Sequence, residues 1–307
     1  TGNTMTNHYV GVRQTWQVAG TTLSGNTFSG SRLLYNQPAP GLGYWMTAKD
    51  GGVFSFNQAA FYGSMGGSHL AAPVVGMAQT RDPGGYLLAG ADGGVFTFGD
   101  SNVYGSVPGS HSSLTAPAVG IAGTPVVSGP PGTPGTNGLG YWIVGSDGNV
   151  YPFGQAQSFG NTVGIHLNKP VVGMSPTADG LGYWLVGADG GVFSKGDAGF
   201  HGSAGGAHLN APVVGMASTP DSNGYWLVGA DGGVFTYGDA GFHGSLGNTH
   251  LNAPIVGIAP TPDGQGYWLF AADGGVFTFG DAGFYGSLGN AHLAAPVVGG
   301  SAEGSDF

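Results

Sequence analysis

The chain has 307 residues, of which 65 are Gly and 19 Pro; only 7% are charged, and 6 Lys+Arg against 16 Asp+Glu leave a formal charge of −10. Turn formers at that level suggest low complexity, yet 41% hydrophobic and 12% aromatic residues exceed what a disordered chain carries, so the chain is expected to fold. The acidic balance excludes a phosphate-tracking nucleic-acid binder, Gly and Pro interrupt every apolar run before bilayer length, and the absence of Cys excludes disulfides and thiol chemistry.

Residues 1–42 contain the short runs HYVGV, TWQVAG and NTFSG but no Asp-Gly-Gly turn, and read as a divergent copy of the repeat that fills residues 43–307. Their end is legible, because RLLYNQPAPGLGYW lies in register with the later VVGMASTPDSNGYW. From there six copies begin at Gly43, Gly85, Gly140, Gly182, Gly224 and Gly266, spaced by 42 residues except for 55 between the second and third. Most of the excess is a Pro/Gly-rich stretch at about 123–139, read as a surface-loop insertion.

Within the copy from Gly224, Tyr225–Gly229 and Val234–Tyr237 flank Ala-Asp-Gly-Gly, a β-hairpin signal because Asp-Gly supplies the positive φ angles of tight turns. A third short run, Gly241–Ser245, follows Gly-Asp-Ala-Gly, and a fourth, Pro254–Ala259, precedes Thr-Pro-Asp-Gly. No segment sustains a helical period.

Four short strands in 42 residues make one propeller blade. The expected fold is all-β: a seven-bladed β-propeller of 42-residue four-stranded blades, with 1–307 as a single domain and a linear β-solenoid as the rival. Closure separates the two. Pro296–Ser301 reads as an innermost strand with no hairpin after it, and is expected to complete a blade whose other three strands come from residues 1–42.

The phrase GYWLVGADGGVFTYGDAGFHGS, together with HLNAPVVGMA, resembles a repeat of secreted actinobacterial proteins, where it forms non-catalytic arrays beside cell-wall or hydrolase domains. The resemblance covers residues 43–307 and implies a propeller-like extracellular or cell-surface module, without implying a ligand. Thr1 in place of an initiator Met, and the low charge, fit export after removal of a leader.

His69, His111, His166, His208, His250 and His292 share one repeat position, and Asp50, Asp92, Asp147, Asp189, Asp231 and Asp273 share another. Such pairs could hold metals or act as general bases. A residue required once per blade more often serves the blade, and the arrangement is similar to the buried hydrogen-bonded tetrad of WD-repeat blades. That similarity implies blade-locking, with no metal and no cofactor.

The Tyr-Trp pairs at 44/45, 141/142, 183/184, 225/226 and 267/268 are expected to pack between blades; Tyr86-Leu87 fits, since Leu substitutes in packing and makes a poor sugar platform. Variation at one fixed position instead points to contact with a ligand: Tyr62, Tyr104, Phe159, His201, His243 and Tyr285, expected on the outer strand, with edge protection as the plainer reading. Asp100, Asp197, Asp239 and Asp281, with Asp179, Asp221 and Asp263, lack the dense alternating oxygen ligands of a calcium loop and read as turn-stabilising.

No GxSxG, HExxH or GxxxxGK[ST] occurs, and no carboxylate pair is singled out for glycoside hydrolysis. The expected function is a non-catalytic binding or adhesion module, multivalent for cell-envelope or environmental glycans, without membrane insertion and with self-assembly open. The alternatives are a structural or assembly subunit of a surface layer or appendage, and an enzyme with one non-repeated site at the channel or the insertion.

Overall fold

The computed structural model describes residues 43–80, 84–110, 113–125 and 139–304, and these form six three-stranded antiparallel sheets within one compact unit, Pro40–Phe307. The middle strands are β1 (Gly43–Ala48), β4 (Gly85–Gly90), β7 (Gly140–Gly145), β10 (Gly182–Gly187), β13 (Gly224–Gly229) and β16 (Gly266–Ala271). Each is a run such as GYWLVG and is buried along its whole length, as continuous aromatic and β-branched sequence requires. A four-residue turn leads to the outer strands β2 (Val53–Asn57), β5 (Val95–Gly99), β8 (Val150–Gly154), β11 (Val192–Gly196), β14 (Val234–Gly238) and β17 (Val276–Gly280).

The expected hairpin is present, with Val228 opposite Val234. Gly232 has φ 75°, and a Cβ there would lie 2.6 Å from that of Leu246, so both turn conformation and packing require glycine.

The inner strands are β3 (Val74–Gln79), β6 (Ala118–Gly123), β9 (Val171–Pro176), β12 (Val213–Ser218), β15 (Ile255–Pro260) and β18 (Val297–Ala302), each carrying a bulge in its pairing with the middle strand. They neighbour one another in the cycle β18, β3, β6, β9, β12, β15 and back to β18, which is a closed ring around an axis. Their third residue is always glycine. A Cβ on Gly215 would meet the Gly257 Cα at 3.8 Å, and one on Gly257 would meet the Gly299 Cα at 3.7 Å, so these glycines let the inner strands converge.

Seven four-stranded blades are thereby corrected to six three-stranded ones. The closing strand β18 pairs with β1, Tyr44 opposite Ala302 and Trp45 opposite Ser301, so its hairpin comes from Gly43–Asn57 and not from residues 1–42. The expected strands HYVGV, TWQVAG and NTFSG lie outside the described residues, as does most of the loop insertion.

The fourth strand is missing for a local reason. Gly241–Ser245 does run from one end of its blade to the other, between the Asp239 N–H bonded to the Asn223 carbonyl and the Leu246 N–H bonded to the Gly232 carbonyl. Along the way its backbone is met by side chains instead of a ladder: Trp226 Nε1 donates to the Gly241 carbonyl at 2.7 Å, and the His243 N–H donates to the Tyr267 hydroxyl at 3.2 Å.

The core lies in the seams between blades. Neighbours on a middle strand point to opposite faces, so Tyr225 packs against Trp184 of the preceding blade while Trp226 meets Tyr267 of the next, at ring distances of 5.5 and 5.9 Å. The closing seam distributes its bulk differently from the others. There Phe270 replaces the Val186 or Val228 of other blades, and Gly300 replaces Met216 or Ile258. A Cβ on Gly300 would lie 2.8 Å from the Phe270 ring. Bulk has moved from one side of the seam to the other at constant total, since Phe with Gly carries as many side-chain heavy atoms as Val with Met.

Candidate binding rim and axial channel

The crossover from each outer strand to the next inner strand forms the circumference of the ring. Along it Ala240 and Ala282 are buried, while Phe242 and Phe284, two residues on, are exposed at 62% and 61%, so the crossover does not keep the two-residue alternation of a strand. Phe61 and Phe200 match them at 58% and 63%. These four occupy consecutive crossovers, after β11, β14, β17 and β2; the remaining two carry Val103, also exposed, and Ser158.

The next residue of each crossover is the one expected to contact ligand. Tyr62, Tyr104, Phe159, His201, His243 and Tyr285 are all half-buried, each against the Tyr of the following blade, with ring distances from 5.5 Å for His243–Tyr267 to 6.0 Å for Tyr104–Tyr141. That Tyr hydroxyl accepts from their backbone N–H and donates to the carbonyl of the following Gly. They are the inward partners of the rim, and its exposed face belongs to the preceding Phe. The sequence signal that could have found it is the Phe that recurs immediately before this position, at 61, 200, 242 and 284.

The buried His–Asp lock is also corrected. His69, His166, His208, His250 and His292 are exposed in the crossovers, and His111 lies outside the described residues. Asp50, Asp92, Asp147, Asp189, Asp231 and Asp273 are half-buried, and each Oδ1 accepts the N–H two residues on, as Asp231 does from Gly233 at 3.0 Å. A carboxylate that caps its own turn needs no histidine to satisfy it.

At the opposite end of the blades from these turns stand carboxylate pairs. Thr219 Oγ1 reaches Asp221 at 2.8 Å and Asp239 at 3.2 Å, and Thr177 stands likewise between Asp179 and Asp197. Desolvation works against the ionised form of Asp221, but donors from Asn223 and Thr219 outweigh it and hold the carboxyl down to about 2. Asp197 is pushed up, by desolvation and then by Asp179. Among the described residues, no three His, Asp or Glu side chains converge in a metal-binding group.

The axis at this end holds a cavity of about 150 Å³, lined by inner-strand residues of all six blades including Met77, Ile121, Met216, Ile258 and Gly300. A second cavity, about 180 Å³, lies between the β4 and β7 blades.

No family model and no curated protein matches the chain. Among solved structures it is similar to the β-propeller domain of Myceliophteria thermophila Cps50 (Swd1), at 11% identity and a TM-score of 0.49, over 80% of this chain and 81% of that one. The propeller assignment rests on the closed ring of six sheets.

Proposed function

We propose that the protein is a non-catalytic extracellular binding module that engages cell-envelope or environmental glycans through its rim. The observation that carries this reading is the arc of Phe200, Phe242, Phe284 and Phe61, exposed by more than half on four consecutive crossovers. An aromatic face stacks on the apolar face of a pyranose, and Asp197, Asp239 and Asp281, exposed three residues before three of these rings, offer acceptors to sugar hydroxyls. Each contact is small, and repetition around a rigid ring turns several weak sites into useful avidity.

The test is a glycan array probed with the full chain and with a Phe200→Ala/Phe242→Ala/Phe284→Ala variant. Binding by the parent and its loss in the variant, at an unchanged melting temperature, is the expected result. An array silent for the parent, or equal binding by the variant, overturns the reading.

A further inference from the structure

Five of the six middle strands carry Trp after their Tyr, and all five indoles are bound alike. The indole N–H donates to the carbonyl 15 residues on: Trp45 to Ala60, Trp142 to Gln157, Trp184 to Gly199, Trp226 to Gly241 and Trp268 to Gly283, at 2.6–2.8 Å. The ring stands 5.5–5.9 Å from the Tyr of the next blade. In β4 the residue is Leu87. Its counterpart acceptor is the Asn102 carbonyl, which no donor reaches among the described residues, and its counterpart Tyr is Tyr141, whose ring neighbours there are Tyr104 and Phe153 but no indole.

The blades have not closed over the difference. Beside Leu87 lies the cavity of about 180 Å³, lined by Asn102, Tyr104 and Tyr141, with Thr80 and Thr124 as polar groups. An apolar cavity of about 150 Å³ is enough to hold benzene. Here the space is larger, part of its wall is polar, and the five sister seams display what fits it.

We propose that this cavity binds one indole-sized planar heteroaromatic ring bearing an N–H, seated against Tyr141 with its N–H donated to the Asn102 carbonyl. The ligand replaces the side chain the sixth seam lacks, which makes this a single, non-repeated site, independent of the glycan reading.

The probe is free indole, titrated into the full chain and followed by calorimetry and by ligand-observed NMR. Saturable binding at one site per chain is expected. Leu87→Trp, which restores the repeat residue, should abolish it and raise the melting temperature; Leu87→Ala, which enlarges the cavity, should retain it. Indene, the same bicycle without the N–H, should bind roughly 5–10-fold more weakly. No saturable binding of indole up to its solubility limit overturns the proposal, as does undiminished binding by folded Leu87→Trp. Should Leu87→Trp not fold, loss of binding in folded Leu87→Ala overturns it instead. Equal affinity for indole and indene overturns the role of the Asn102 carbonyl.

Discussion

The Tyr267 hydroxyl donates to the Gly244 carbonyl at 2.6 Å, joining the middle strand of one blade to the crossover of the blade before. The same bond recurs at every seam, from Tyr44, Tyr86, Tyr141, Tyr183 and Tyr225, and burial raises the pKa of each of these phenols. A single oxygen that accepts from one backbone group and donates to the next does the work of a missing strand pair.

Tyr267→Phe keeps the ring and removes that oxygen, leaving the His243 N–H and Gly244 carbonyl without it. The expected cost is about 1–3 kcal/mol. Chemical denaturation measures it, and hydrogen exchange should quicken at residues 241–246 before any other segment.

Two glycines with similar positive φ separate backbone strain from crowding. Gly206 has φ 87° with no atom within 4 Å of an added Cβ, so Gly206→Ala should cost about 1–2 kcal/mol for the left-handed conformation alone. Gly232→Ala adds the 2.6 Å approach to Leu246, and should be about 1–3 kcal/mol worse. Equal melting temperatures for the two variants would refute the packing account of the turn.

Much of the architecture was legible in the sequence and some was not, for identifiable reasons. The Ala-Asp-Gly-Gly hairpin, the inter-blade Tyr-Trp pairs and the blade-sized period follow from local chemistry. Blade number does not, because it depends on which hairpin receives β18, and residues 1–42 and Gly43–Asn57 both offered one. Gly241–Ser245 has strand composition, yet its hydrogen bonds go to Trp226 and Tyr267, residues distant in sequence or on another blade. The exposed Phe242 was hidden behind His243 because the period of the repeat reveals that a position recurs but not which way it faces.

The closing seam should behave as a compensating pair. Gly300→Ala forces a Cβ to 2.8 Å from the Phe270 ring and from the Trp45 carbonyl, an overpacking expected to cost about 1–3 kcal/mol. Adding Phe270→Val relieves the ring contact and should recover part of the loss. Thermal melts of the two single variants and the double one close the cycle; strict additivity would deny the coupling.

Acid should weaken the ring through its carboxylates. The folded pKa of Asp221, about 2, lies below the ordinary 3.8, so its stabilisation is complete above the ordinary value and is lost as pH falls through the folded one. Asp179 and Asp263 are lowered in the same direction, while Asp197, raised, acts oppositely and favours the folded state as it gains a proton. Asp221→Asn preserves an acceptor for Thr219, and should flatten part of the stability decline between about pH 4 and 2 in urea titrations at stepped pH.

Stacked-repeat proteins unravel from their outermost units, which have a neighbour on one side only. The pairing of β18 with β1 leaves every blade here with two neighbours, and the Tyr and Trp of one strand reach into both. Fraying has nowhere to begin: the first step of unfolding is the breaking of the ring itself, after which no crossover retains both of its anchors at the open seam. Resistance to proteases, heat and shear should therefore be governed by the rate of that one opening event, a kinetic property of a single junction and not a sum over six blades.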